Sequence, residues 1–309
     1  MTHETSDREP AIASDGGDRC PYESAETIQK WDGDYYQPIA RRFYDAAVLD
    51  MLTCMGARPG QLVLDAGCGT GVHSARAARL GCQVMSADLS MAMLNAAQEH
   101  VDTEETADRV AYCRTDLTSL AFQEESFDHV FSWGVIIHIP GIEQALEELD
   151  RVLKPGGSLA LYLTNHSSFD LKVERVARRL LGRPPKVYEV SSWGLGFWHD
   201  MPGGAMWTSH IDADHLARYL GKRGYMLVRR RAGEFSEVQR FLRGITRRAV
   251  LRLNNWIYRT SAFPASLAST QLLVFRKREH ETRSAHSRAP YVPAALPSKT
   301  SASSRSMTR

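Results

Sequence analysis

The sequence has no run of 18 apolar residues, so no membrane-crossing helix is expected. Its five cysteines, Cys20, Cys54, Cys68, Cys82 and Cys113, are scattered and odd in number, and no C-x-x-C pair occurs. That spacing supports neither a metal site of the zinc type nor a disulfide framework, and it favours a reducing cytoplasm. The polar, acidic start of the chain argues against a secretory signal. Acidic residues are scarce in the C-terminal third: residues 218–309 hold 20 Lys and Arg against 4 Asp and Glu, leaving 18 against 32 before them. The small net charge of +2 conceals this asymmetry. It fits a solvated basic face with a loose tail. It also fits attraction to a polyanion, an anionic lipid surface or an acidic substrate.

What is present is a 43% apolar chain of 309 residues, enough for one large or two small domains. Its organising stretch is Leu62-Val63-Leu64-Asp65-Ala66-Gly67-Cys68-Gly69-Thr70-Gly71. An apolar run suits a strand covered on both faces. Glycines at alternate positions let the backbone turn sharply and approach a ligand, and a helix at 72–80 aims free N–H groups at the turn. The dinucleotide fingerprint is G-x-G-x-x-G. Here Gly67, Gly69 and Gly71 give G-x-G-x-G, with Asp65 just before the loop.

Three further stations follow at strand–helix spacing. A second strand at 82–87 ends at Asp88, in the sequence ADLSMAML, ahead of a helix at 91–100. An acid there has the spacing for a ribose hydroxyl, whereas Ser90 is the better cap for the helix. A third strand at 109–114 precedes Thr115-Asp116-Leu117, and a fourth at 126–133 reads FDHVFSW. A helix at 141–153, a Lys154-Pro155-Gly156-Gly157 turn and a fifth strand at 158–163 complete the pattern.

Over residues 40–165 this succession resembles the class I S-adenosylmethionine (SAM) dependent methyltransferases, in particular small-molecule enzymes related to those of ubiquinone and menaquinone synthesis. The resemblance implies an α/β fold: a doubly wound, Rossmann-like seven-stranded sheet with an antiparallel last strand, and helical insertions after strands 5 and 6. It implies SAM as cofactor, bound by Asp65, Ala66, Gly67, Gly69, Gly71, Asp88, Leu89, Met91, Asp116, Leu117 and Trp133, with no metal. Asp65 and the helix after it would fix the amino-acid end, Asp88 the ribose, Leu89 and Met91 the adenine ring, and Asp116 its exocyclic amine. Trp31, Tyr35, Tyr36 and Phe43, ahead of the first strand, would form a lid over the cofactor or pack on the sheet.

Beyond residue 165 the similarity is topological: a helix at 212–222 and strands at 225–231 and 270–276. The expected organisation is a disordered segment at 1–30, a methyltransferase domain at 31–278 with substrate-cap insertions at about 166–210 and 236–262, and a disordered basic tail at 279–309. In the second insertion Val238, Phe241, Leu242, Ile245, Ala249, Leu253, Trp256 and Ile257 form an apolar stripe at helical spacing, with arginines beside it. It reads as a helix packed on the domain or as a basic amphipathic helix at an anionic membrane surface.

Candidate bases for a hydroxyl or amine acceptor are His138, His199 and His210, with Asp200 beside His199. For each histidine a packed or surface role is the competing reading. The expected acceptor is a small molecule, or a lipid- or sugar-linked precursor, methylated on O, N or C. The alternatives are a SAM-binding partner protein without catalysis and an RNA methyltransferase. The second is disfavoured because Trp133-Gly134-Val135-Ile136 stands where an N-P-P-Y-like target-base motif would follow the fourth strand.

Overall fold

The computed structural model describes residues 21–29, 38–102, 106–183, 188–201, 204–240, 242–261 and 263–279. Trp31, Tyr35, Tyr36, residues 1–20 and the tail beyond Glu279 lie outside the described residues.

Strands β1 (Leu62–Ala66), β2 (Gln83–Asp88), β3 (Val110–Arg114), β4 (Phe127–Trp133) and β5 (Leu153–Thr164) form the parallel part of a seven-stranded sheet. A hairpin-like excursion adds β6 (Glu189–Ser191), β7 (Gly194–Met201) and β8 (Gly204–Ile211) as a separate three-stranded antiparallel sheet. Strands β9 (Tyr225–Ala232) and β10 (Thr270–Lys277) return to the main sheet, β10 running antiparallel to both β5 and β9. The order is β3-β2-β1-β4-β5-β10-β9, the architecture expected from the sequence.

Alternation along the strands feeds two cores. Leu64, Val130, Leu159 and Leu273 point to one face, where they meet α4 (Ile142–Val152) and α6 (Ala213–Lys222). Their neighbours Val63, Phe131, Ala160 and Leu272 point to the other, against α1 (Pro38–Met55) and α2 (Val72–Arg79). Phe43 belongs to this second core, 3% exposed. The remaining helices are α3 (Met91–Asp102), α5 (Phe169–Leu180) and α7 (Gly244–Thr260).

Four expectations need correction. Residues 154–157 do not separate a helix from a strand beginning at 158. β5 pairs from Leu153, opposite Phe127, and the register then shifts so that Ser158 faces His129. The Lys154 ammonium pins this irregularity to Asp128 Oδ1 at 2.8 Å.

The first insertion is only partly helical, because GLGFWHDM and GAMWTSHI (β7 and β8) pair as antiparallel strands. β7 carries the aromatic pair Phe197 and Trp198, and β8 carries Trp207 with the β-branched Thr208 and Ile211, residue types that suit strands. A Cβ at Gly196 would fall 2.0 Å from the Trp207 ring, so the missing side chain lets that indole lie across the neighbouring strand.

Part of the 1–30 segment is ordered. Glu23 accepts the N–H groups of Met91 and Ala92 at 3.0 and 3.1 Å, and Tyr22 O accepts the Ser90 hydroxyl. A carboxylate there satisfies the free donors of the α3 N-terminus.

Finally, α7 buries Leu251, Asn254, Ile257 and Tyr258, so most of its expected apolar stripe faces solvent: Ile245, Leu253 and Trp256 are 75%, 42% and 58% exposed. The buried face is partly polar, with Asn254 exchanging hydrogen bonds with the Ser236 backbone at 2.9 and 3.2 Å. The stripe expected from periodicity is therefore not the face that packs on the domain.

Candidate active site

Between β1 and β4 the winding of the sheet reverses, and a crevice opens at the carboxyl ends of the strands. The turn after β1 fills its floor. Gly67, Gly69 and Gly71 have φ of +84°, +51° and +77°, a region that favours glycine. A Cβ at Gly67 would meet Val135 at 2.4 Å, whereas the space above Gly69 is open. The N–H groups of Gly67 and Cys68 are fixed on Ala87 O, and Gly69 N–H donates to Asp88 Oδ2 at 2.9 Å. Asp88 Oδ1 accepts from Ser90 N–H, while Ser90 caps α3 through Met93 N–H, as its position implied. Burial raises the Asp88 pKa above the usual carboxylate range, against these N–H donors.

Asp65 lies beneath the turn, 1% exposed. Ser86 donates to Ser74 and Ser74 to Asp65 Oδ2, each at 2.7 Å. Asp65 Oδ1 is buried without a hydrogen-bond partner among the described residues. Burial first, with the Asp88 charge adding to it, pushes this carboxyl up to about 7 against the Ser74 hydrogen bond. A buried, half-satisfied carboxyl is costly unless something cationic or hydrogen-bonding completes it.

One cavity of about 1860 Å³ runs over this floor. Of the sequence-derived cofactor residues, Gly67, Gly69, Asp88, Leu89, Asp116, Leu117 and Trp133 line it. Asp65, Ala66 and Gly71 support the turn from outside the lining. Gly71 packs so closely that a Cβ would lie 2.9 Å from Ala97. Met91 is 44% exposed and turned to solvent, and Met93, two residues on, lines the cavity instead. Asp116 Oδ1 holds its own loop by accepting from Thr118 N–H and Oγ1, both at 2.8 Å.

Sequence reasoning missed the aromatic wall. Trp133 stacks on Tyr162 with centroids 4.0 Å apart and 6° between planes, and His73 lies 4.6 Å from the indole. Tyr44 meets both Trp133 and His73 edge-on, and all four rings line the cavity. Burial and the Arg76 charge depress the His73 pKa well below its ordinary value, so this ring is neutral. Trp133 at the end of β4 was expected, but Tyr44, well inside α1, His73 and Tyr162 carry no motif that ties them to it.

The three candidate histidines all reach this cavity. His138 Nδ1 sits 2.8 Å from the Trp207 carbonyl and 3.4 Å from Thr208 Oγ1, and His199 Nε2 sits 3.0 Å from the same hydroxyl. A carbonyl oxygen only accepts, so His138 carries its proton on Nδ1 and Nε2 is the basic nitrogen. His210 stacks on Phe197 at 5.8 Å. Tyr22, from the ordered part of the N-terminal segment, lies 6.3 Å from the His138 ring.

Comparison with known proteins decides the family. Residues 64–161 match the methyltransferase domain model. The ubiquinone biosynthesis O-methyltransferase of Xanthomonas campestris pv. campestris (strain B100) is 31% identical over 178 residues, covering 52% of this chain and 74% of that protein. The chain belongs to the class I SAM-dependent methyltransferases.

Methyltransferase GfsG of Streptomyces halstedii is 39% identical over 103 residues, 33% of this chain and 37% of that one. The chain thus spans little more than a third of that relative, and 29% of the sterol 24-C-methyltransferase of Yarrowia lipolytica. The magnesium protoporphyrin IX methyltransferase ChlM of Synechocystis PCC 6803, solved with bound SAH, shares the fold. Its TM-score is 0.55 at 17% identity, over 83% of this chain and 96% of that one.

SAM is the cofactor of this methyltransferase family, and the residues present fit it. The Asp88 carboxylate and the aromatic wall on the lining, with the unpartnered Asp65 oxygen beneath the turn, suit a cationic ligand, and open space above Gly69 admits one close to the backbone.

Proposed function

We propose that this methyltransferase acts on a large, partly apolar acceptor, a small molecule or a lipid- or sugar-linked precursor. The continuity of the cavity carries this reading. The space that runs over Gly69 and Asp88 continues past His138 to Phe197, Trp198 and Met206 of β7 and β8, then to Glu234 and Thr270. Ligand pockets usually span roughly 300–1,000 Å³. A volume of about 1860 Å³ leaves room for a second molecule beside the cofactor. The lining beyond His138 combines the aromatic Phe197 and Trp198 with the carboxylate- and hydroxyl-bearing Glu234 and Thr270, a mixture that suits an amphipathic acceptor.

The bound donor supplies an electrophilic methyl group on a sulfonium that already carries its leaving group. The chain supplies position and a proton acceptor. In this reading Asp88 accepts the ribose hydroxyls, Asp116 and Leu117 border the adenine, and the Gly67–Gly69 backbone receives the amino-acid end above Asp65. Holding two reactants in line is worth up to roughly 7–11 kcal/mol. His138 Nε2 takes the acceptor's proton as the new bond forms, its tautomer set by the Trp207 carbonyl. His199, through Thr208, positions that hydroxyl against His138, and His210 with Phe197 shapes the acceptor wall.

No helix among the described residues is long and apolar enough to cross a membrane. The four cysteines among them are free. A cytoplasmic setting, with the basic 236–262 segment at an anionic membrane surface, fits both facts and suits a lipid-linked acceptor.

Labelled-methyl transfer from SAM into a lysate of the native host, with mass identification of the product, tests the reading. Product bearing a methyl group on a hydroxyl or amine is expected, with kcat reduced about 10²–10⁴-fold in His138→Gln and SAM affinity retained. An unchanged kcat on such an acceptor would remove His138 from the role of base.

A further inference from the structure

Helix α5 buries none of its residues. Phe169, Val173, Val176 and Leu180 recur at helical spacing along it and are 45%, 46%, 59% and 81% exposed. At about 100° per residue these four lie within one narrow stripe. Lys172, Arg175 and Arg179, all exposed, run along one flank of that stripe. Helix α7 repeats the arrangement: Ile245, Leu253 and Trp256 form an exposed stripe, and Arg248, Arg252 and Arg259 run along the same flank. No acidic residue occurs in α7.

Both helices line one cavity, α5 through its exposed stripe and α7 through its buried face. Val173 of α5, Leu251 of α7, Val238 ahead of α7 and Trp198 of β7 all line the cavity. Three of these, Val173, Val238 and Trp198, are also 43–46% exposed, so apolar side chains from three separate segments rim its mouth. Asp170 ties the start of α5 to the segment before α7 by accepting Glu237 N–H at 2.8 Å. Phe169 stacks on Phe235 at 5.9 Å in the same place.

Large exposed apolar side chains in such number mark an interaction surface. A folded nucleic acid would satisfy the arginines and leave the Ile, Leu and Val stripes wet. A bilayer with anionic headgroups satisfies both, because amphipathic helices lie in the interface with the apolar face among acyl chains and the cations at the phosphates. We infer that α5 and α7 together dock this enzyme on an anionic membrane surface, with the cavity mouth between them facing the lipid. This deepens the proposed acceptor reading, since an amphipathic acceptor could then enter from the membrane. The docking itself is measured without any methyl transfer.

Flotation of the full chain with vesicles is the test. Vesicles of phosphatidylcholine containing phosphatidylserine should carry the protein, pure phosphatidylcholine should not, and added salt should release it. Val176→Glu with Leu180→Glu on α5, and separately Ile245→Glu with Trp256→Glu on α7, should each weaken binding about tenfold or more. The charge reversal Arg248→Glu with Arg252→Glu should do the same. Unchanged circular dichroism and SAM affinity in these variants would show that the fold is retained. The inference is overturned if the native chain does not bind anionic vesicles, or if folded variants bind as well as it does. It is also overturned if light scattering shows a dimer that these substitutions dissociate while no vesicle binding exists, because the stripes would then be covered by a second copy. Salt-sensitive binding to RNA without binding to vesicles overturns it as well. Failure on any of these grounds would leave the methyl-transfer assay unaffected.

Discussion

Asp65 and Asp88 sit at the ends of adjacent strands, yet they do different things. Asp88 faces the cavity and ties the glycine turn to α3 through Gly69 and Ser90. Asp65 is sealed below, its carboxyl pushed up to about 7 by burial. In the unfolded chain it titrates near 4. As pH rises from about 4 to 7, the unfolded chain loses this proton while the folded one keeps it, so the free protein loses stability across that window. A cation above the turn favours the ionised form and lowers the folded pKa again. SAM binding between about pH 6 and 7 should therefore release a proton. Calorimetry in buffers of different ionisation enthalpy should show a buffer-dependent binding heat, and Asp65→Asn should abolish that dependence.

The glycines and both aspartates were legible in the sequence because each does one local job: a positive φ, or a carboxylate at a strand end. The aromatic wall was not, because Tyr44, His73 and Tyr162 come from separate segments and meet only through the sheet. Asp128 shows the opposite case. Its FD signature helps to identify the strand, but its oxygens hold Leu62 N–H and Lys154, which keeps its pKa low and gives it a structural role.

At the scale of elements, periodicity sufficed where one face of a helix is apolar and the other is not. In α4, Ile142, Ala145, Leu146, Leu149 and Val152 are buried at i, i+3, i+4, i+7 and i+10. Leu146 is fully buried between α4 and the sheet. Leu146→Ala should cost about 2–5 kcal/mol in urea unfolding with little change in m-value.

Periodicity misled in α7, where two faces carry apolar side chains. The one that packs was decided by the Asn254 hydrogen bonds and by Tyr258, which gives its hydroxyl to Asp50 at 3.1 Å. The sheet of β6, β7 and β8 escaped for a related reason. Its alternation is blurred by His, Asp and Gly, and its pairing is fixed by contacts such as Gly196 against Trp207.

For the whole molecule, the doubly wound order brings the ends of β1, β2 and β4 to one crevice, and the two insertions wall it. The crevice was foreseeable from strand succession alone, since the order reverses between β1 and β4. The walls were not, because the residues after 165 follow no short motif. The central claim is that this crevice selects SAM over a dinucleotide. Calorimetric titration of the purified chain with SAM and with NAD tests it directly. Saturable SAM binding is expected, weakened about tenfold or more in Asp88→Ala through loss of charge-assisted bonds worth roughly 1.5–3 kcal/mol, with no NAD binding. Saturable binding of NAD without SAM, or SAM binding indifferent to Asp88→Ala, would contradict it.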